Sequence, residues 1–313
     1  MKALIIGAAG FVGSYLVHHL DDAYDWELHA TKLPSEALEL PNTHIHDLDI
    51  MNAAAVEDFL DQLRPDYIFH LAAQSSVALS WKNPSLTVDI NIKGTLNILD
   101  SLRNIRDYSP RVLLIGSGEE YGYILPEETP IKESTTPRPG NIYAATKVCQ
   151  NMIGAIYSRA YGLNLIMVRA FNHIGPNQAP MFVASDFCKQ VAEIEAGLKP
   201  AVLHVGNLSA QRDFTDVRDV VRAYGQLIQT GISGETYNIG SGNAIAIQDL
   251  LNMILSLSTR HIDVETDPSR LRPSDIPIIE ADVEKIYSLT GWQPEIPLKQ
   301  TIQETLNYWR ERT

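Results

Sequence analysis

The chain has 313 residues, enough for one large domain or two smaller ones sharing a cleft. With 45% hydrophobic and 20% charged residues it reads as globular, and no run reaches the ~18 apolar residues of a membrane span. A formal net charge of −13 argues against a general nucleic-acid surface, and two cysteines, Cys149 and Cys188, give no disulfide framework and no metal-ligand spacing. No secretory signal is evident at the first residues, so a reducing, cytoplasmic setting is expected. In so acidic a chain, a phosphorylated ligand needs local Arg and Lys.

Lys2-Ala3-Leu4-Ile5-Ile6 predicts a buried strand. Gly7-Ala8-Ala9-Gly10-Phe11-Val12-Gly13 follows at once, and Ser14–Leu20 reads as an amphipathic helix. Strand, glycine turn and helix is the arrangement that seats a pyrophosphate on free backbone N–H groups at a helix N-terminus. The spacing is G-x-x-G-x-x-G rather than G-x-G-x-x-G, and an ordinary tight βα turn is the plainer alternative. Trp26–Thr31 predicts a second strand. Its end carries Thr31-Lys32 where an NAD site would place Asp or Glu. Lys32 suits a 2′-phosphate, which favours NADP(H) and leaves NAD(H) open; a solvated loop residue is the bland alternative.

His44–Asp49 predicts a third strand, with Asp47 placed for an adenine amino group and Leu48 for the ring face. Asp49 is better suited to capping the helix that follows. His44 and His46 alternate without a third ligand, so no metal is expected. Asp66–Gln74 predicts a fourth strand, and Leu71-Ala72-Ala73 at its end is small enough to admit a nicotinamide ribose. Val88–Arg103 is a long helical pattern. Arg111–Gly116 predicts a fifth strand that delivers Ser117 at its C-terminal end, where open parallel sheets bind ligands.

A helix from about Tyr143 to Tyr161 and a strand Leu163–Phe171 complete an alternating β/α order of six strands. Beyond it, Asn172–Gly206 is loop-rich around one helix, Asp216–Thr230 is helical, and Tyr237–Gly240 is a short strand. The tail from Gly242 holds two helices separated by a proline-rich loop, Pro268–Pro277. The expected fold is α/β: a Rossmann-like doubly wound parallel sheet from 1–171 plus 209–240. A smaller, mostly helical substrate domain is expected from 172–208 plus 241–313.

Tyr143 and Lys147 are spaced i, i+4 and share one helix face. A nearby ammonium favours the phenolate and is expected to lower the Tyr143 pKa. The same Lys147 is placed to hold a nicotinamide ribose. Ser117 adds a donor for a carbonyl or alkoxide oxygen. Together they make a general acid/base and an oxyanion partner beside a hydride carrier.

With these residues the chain resembles an extended short-chain dehydrogenase/reductase over essentially its whole length. Gly7, Gly10, Gly13, Ser117, Tyr143 and Lys147 match that superfamily's motifs, and Asn91 matches its helix-borne structural asparagine. More narrowly it resembles the GDP-mannose branch, through Phe171–Pro176, Gly206–Phe214, Asp267–Asp275 and Thr290–Pro294. The resemblance implies one of two chemistries: dehydration of GDP-mannose with recycled NADP, or reduction of GDP-4-keto-6-deoxy-D-mannose at C4 to GDP-D-rhamnose. Glu119 occupies the acid/base position of the dehydratases. Two departures favour the reductase: Glu120 sets a second like charge beside Glu119, and the segment Lys32–His44 is short and without Arg.

The resemblance further implies Asn172, Lys189, Arg212 and Arg272 on the diphosphate, Asn207 and Ala210 bordering the nucleotide, and Asp275 on its ribose. It leaves Arg270 facing solvent. It also implies a homodimer built on Val88–Arg103 and Ile142–Tyr161, and no membrane or nucleic-acid partner. Proteins of this fold that act only as dinucleotide sensors generally lack the Tyr or the Lys, and both are present here.

Overall fold

A computed structural model describes residues 1–270 and 277–313. The first part alternates strand and helix, except that β2 runs directly into β3 and three helices follow β4. It runs β1 (Lys2–Ile6), α1 (Phe11–Ala23), β2 (Glu27–Lys32), β3 (Thr43–Asp47), α2 (Ala53–Leu63), β4 (Tyr67–His70), α3 (Val77–Lys82), α4 (Pro84–Val88), α5 (Gly94–Asn104), β5 (Arg111–Ser117), α6 (Ile142–Tyr161) and β6 (Asn164–Ala170). Then follow β7 (Asn172–Ile174), α7 (Val183–Glu195), β8 (Val202–Val205), β9 (Gln211–Asp216), α8 (Val217–Thr230), β10 (Thr236–Ile239), β11 (Ala244–Ala246), α9 (Ile247–Ser256), β12 (Asp263–Thr266), β13 (Ile278–Ile279), α10 (Glu284–Thr290) and α11 (Leu298–Arg310).

Seven strands form one parallel sheet in the order β10-β6-β5-β4-β1-β2-β3. The order reverses between β1 and β4, and in open α/β sheets ligands bind at that crevice. Both faces of the sheet are covered, as parallel sheets require. Leu16, Val17 and Leu20 of α1 and Val220, Tyr224 and Leu227 of α8 bury one face; Val56, Leu60, Ile98 and Leu102 of α2 and α5 bury the other. Strands β1, β4 and β5 therefore read as continuous apolar runs.

A second layer holds α7, α9 and α11 over a small sheet of β11, β9 and β13 with β7 on β9, beside the β8–β12 pair. This part is less purely helical than its sequence suggests. Residues 211–216 pair there, so the chain returns to the first layer at Val217 rather than at 209. Among the described residues the tail has three α-helices rather than two. The additional one, α10, has seven residues, too few to show a period, and its Ile286 and the following Trp292 join the first-layer core. Among the described residues, no helix is long and apolar enough to cross a membrane.

The stretch expected as one long helix is α4 and α5 joined by a π-helical turn, Asp89–Lys93. Wide turns of this kind concentrate at functional sites. Here the turn carries Asn91, fully buried. Its Oδ1 accepts from Gln74 N at 2.8 Å, and its Nδ2 donates to Gln74 O at 3.1 Å and Thr146 Oγ1 at 3.0 Å. One carboxamide thus ties the loop after β4 to α6.

Candidate active site

One cavity of about 980 Å³ runs from the glycine turn, past the ends of β4 and β5, to the wall of the second layer. At its β1 end the three glycines have different reasons. Gly7 has φ +86°, and a Cβ there would stand 2.6 Å from Ala72 Cα. A Cβ on Gly13 would stand 2.3 Å from Ala8 O. Gly10 is not crowded: its nearest neighbour would be Gly7 O at 3.7 Å, and as N-cap of α1 it brings no side-chain cap. The helix therefore presents uncapped N–H groups to a cavity lined by Gly7, Gly10, Phe11, Val12 and Gly13. That is a fitting seat for a dinucleotide pyrophosphate.

Leu71, Ala72 and Ala73 line the next stretch, across the crevice from the glycines. Lys32 and Leu48 line the side toward β2 and β3. Asp47 is a correction. Its carboxylate faces Lys32 Nζ at 2.6 Å instead of the cavity, and Asp49 lines the cavity in its place. Asp49 accepts from Met51 N at 2.9 Å in the turn before α2, but the helix cap expected of it is Asn52, whose Oδ1 accepts from Ala55 N at 3.2 Å.

At the end of β5 the chain turns through a short 3₁₀ segment, Gly118–Tyr121, capped by Ser117. The Ser117 hydroxyl accepts from Glu119 N at 3.2 Å, and the next two carboxylates diverge. Glu119 lines the cavity, where its Oε2 accepts from Asn141 Nδ2 at 3.1 Å. Glu120 turns into the interior with no exposure, accepting from Ser117 N at 2.9 Å and pairing with Arg169 at 2.8 Å. The expected second charge in the site is therefore absent. Burial pushes the Glu120 carboxyl up to about 7, with Arg169 pulling against it.

Asn141 also caps α6, accepting from Ala144 N at 2.8 Å, and so fixes Tyr143 and Lys147 one turn apart. Both line the cavity with Ser117. Lys147 Nζ donates to Ile115 O at 2.7 Å and Gln150 Oε1 at 3.0 Å, and burial lowers its pKa to about 8. The expectation of an acidified Tyr143 is corrected. Burial raises its pKa, with the Glu119 and Glu120 carboxylates adding to the rise and a Ser117 hydrogen bond opposing it. The ammonium is committed to a carbonyl and an amide instead of the phenol. The site as it stands holds a protonated phenol against a serine hydroxyl, a proton-donating arrangement.

The second-layer wall contributes Asn172, Asn207, Ala210 and Arg212 to the same cavity. Lys189 does not line it. Its Nζ sits 2.6 Å from Glu193 Oε1, whose other oxygen holds Lys199 at the same distance. Arg270, read as solvent-facing, does line the cavity, on Asp186 of α7 at 2.5 Å. Arg272 and Asp275 lie outside the described residues. Asp186, His173 and Tyr224 also line the cavity without having been read from the sequence. Asp186 left little signal, because its helix face also carries the half-buried Lys189 and Glu193.

The GDP-mannose 4,6 dehydratase family profile matches residues 4–305. The chain is 33% identical to the GDP-6-deoxy-D-mannose reductase of Pseudomonas aeruginosa, covering 99% of this chain and 98% of that one. It is 26% identical to a GDP-mannose 4,6-dehydratase of Yersinia enterocolitica, covering 97% and 92%. The solved structure of RMD from Pseudomonas aeruginosa complexed with NADPH superposes with a TM-score of 0.89 at 31% identity, each chain covered in full. This chain belongs to the GDP-mannose 4,6-dehydratase family of extended short-chain dehydrogenase/reductases.

Proposed function

We propose that the chain reduces the 4-keto group of GDP-4-keto-6-deoxy-D-mannose to GDP-D-rhamnose with NADPH as the preferred reductant. The observation that carries this reading is the meeting of Ser117, Tyr143 and Lys147 on the cavity that also takes in the glycine turn and Arg212. The full-length similarity to a GDP-6-deoxy-D-mannose reductase and to an NADPH-bound structure supports it. NADPH, held by the glycine turn and Lys147, would supply the hydride for C4. Ser117 donates a hydrogen bond to the sugar O4 and polarises the carbonyl. Tyr143, kept as a phenol by its burial, gives O4 its proton. Lys147, anchored on the Ile115 carbonyl, would hold the cofactor ribose. Arg212 and Asn172 engage the diphosphate.

Dehydration of GDP-mannose is a second reading, favoured by Glu119 lining the cavity beside Tyr143. Mixing the protein with NADPH and the 4-keto sugar separates the two. Falling NADPH absorbance with formation of a 4-hydroxy sugar supports reduction. Conversion of GDP-mannose to the keto sugar without added reductant replaces it with dehydration. Silence in both assays points to a dinucleotide sensor. The chain is further proposed to act as a homodimer through α5 and α6, whose outward Met152 and Ile156 are exposed in the single chain.

A further inference from the structure

We infer that the Asp186–Arg270 ion pair reads the base of the nucleotide and selects guanine. The inference rests on the GDP-sugar reading and adds to it the residues that choose the nucleotide. Arg270 Nη1 lies 2.5 Å from Asp186 Oδ2, and Arg270 Nε lies 3.7 Å from Asp267 Oδ2. One guanidinium between two carboxylates carries no surplus positive charge, so this group is a poor seat for a diphosphate. It suits a neutral partner with an acceptor next to a donor.

Asp186 is built for that task. It stands in the first turn of α7, lines the cavity, and its side chain is 20% exposed. Gln190 Nε2 and Arg270 Nη1 both donate to Oδ2, at 2.8 and 2.5 Å, which fixes the plane of the carboxylate. Among the described residues no hydrogen bond falls on Oδ1. The loop Gly206–Leu208 is brought against the pair, because a Cβ on Gly206 would stand 2.8 Å from Arg270 O. Leu208 of the same wall offers apolar surface to a ring.

The base edges differ in what they show such a pair. Guanine offers O6 as an acceptor beside two donors, N1–H and the 2-amino group. Arg270 donates to O6 and Asp186 accepts from the two N–H groups, a match of three polar atoms. Adenine presents a donor where Arg270 needs an acceptor. Uracil matches O4 and N3–H but sets its O2 lone pairs against the carboxylate. A carboxylate facing an acceptor is left unpaired, and discrimination follows from that penalty as much as from attraction.

The test is nucleotide binding by the full chain saturated with NADPH, read by calorimetry. Wild type is expected to bind GDP about tenfold or more tighter than IDP, which lacks only the 2-amino group, and tighter still than UDP or ADP. Asp186→Asn is expected to bring GDP and IDP within about twofold while NADPH affinity holds. Equal GDP and IDP affinities in wild type overturn the proposal. So does an unchanged GDP/IDP ratio in Asp186→Asn. If that variant fails to fold, as loss of NADPH binding would show, the wild-type comparison decides. A chain that prefers GDP over IDP but leaves the 4-keto sugar unreduced upholds the base reading and sinks the catalytic one.

Discussion

Glu120 and Arg169 meet at 2.8 Å beneath the site, and the same carboxylate accepts the backbone N–H of Ser117 at 2.9 Å. The guanidinium also lies 4.6 Å over the Tyr121 ring and donates to Glu133 O at 3.2 Å. The strand end that presents Ser117 is therefore set by an interior charge pair. Gly116 leaves room for it, since a Cβ there would stand 2.3 Å from Glu120 Oε1. Glu120→Ala leaves Arg169 buried and uncompensated, and is expected to cost about 3–5 kcal/mol in urea denaturation. Turnover should fall as well, because Ser117 loses its anchor. A variant of unchanged stability would show that Arg169 finds another partner.

Gly7 and Gly10 make opposite predictions. Gly7→Ala must take a left-handed φ and collide with the Ala72 backbone, so a loss of about 2–4 kcal/mol of stability is expected. Gly10→Ala meets nothing closer than 3.7 Å, so stability should stay within about 0.5 kcal/mol. Its methyl group points into the space proposed for a pyrophosphate, and NADPH affinity should drop by on the order of tenfold, ~1.4 kcal/mol. Thermal melts and NADPH fluorescence titrations on both variants check the contrast. A Gly10→Ala protein that binds NADPH normally removes this turn from the cofactor site.

The pH dependence follows from Lys147. Burial holds its folded-state value near 8, below the ordinary 10.5. Between those values the unfolded chain binds the proton more tightly, so this residue makes stability rise with pH across that window. Catalysis runs the other way: the ammonium is present below about 8 and lost above it, while Tyr143 stays a phenol throughout. The kcat/KM for reduction should therefore fall above pH 8. Lys147→Arg keeps a cation to beyond pH ~12 and should remove that alkaline limb at a lower plateau. A limb that survives in Lys147→Arg belongs to another group.

Glu119 separates the two chemistries of the family. Reduction needs no proton carrier besides Tyr143, so Glu119→Gln should keep hydride transfer within about threefold of wild type. In dehydration it would be the proton carrier, and the same change should cost ~10²–10⁴-fold. Single-turnover NADPH oxidation and GDP-mannose conversion, measured side by side, give both numbers.

Much of this was legible because the chemistry lies along the chain in regular elements. The glycine turn follows a strand, Ser117 ends one, and Tyr143 and Lys147 share a helix turn. What stayed hidden depends on where a side chain turns. Glu119 and Glu120 are neighbours in sequence and face opposite regions, because a 3₁₀ turn begins between them and Ser117. Lys189 and Asp186 lie on one helix, yet Glu193 draws the lysine off the cavity while Arg270 and Gln190 hold the aspartate on it. The Tyr143 reading went astray for the same reason: spacing places an ammonium near a phenol but does not reveal a competing carbonyl at Ile115.

Lys32 lines the opposite end of the cavity, and its 2.6 Å pair with Asp47 bears on the choice between NADPH and NADH. The Lys32 side chain is 16% exposed and that of Asp47 58%, so the lysine lies inward and the aspartate tethers it from the rim. A 2′-phosphate arriving beside Lys32 competes with the Asp47 carboxylate for one ammonium. Asp47→Asn frees the lysine and removes a like charge, so NADPH affinity should rise severalfold with NADH unchanged. Lys32→Ala should lower NADPH affinity about tenfold, again sparing NADH. Both effects should shrink at high salt, because the pair is partly solvated. Equal changes for the two cofactors in either variant would mean that Lys32 does not read the phosphate.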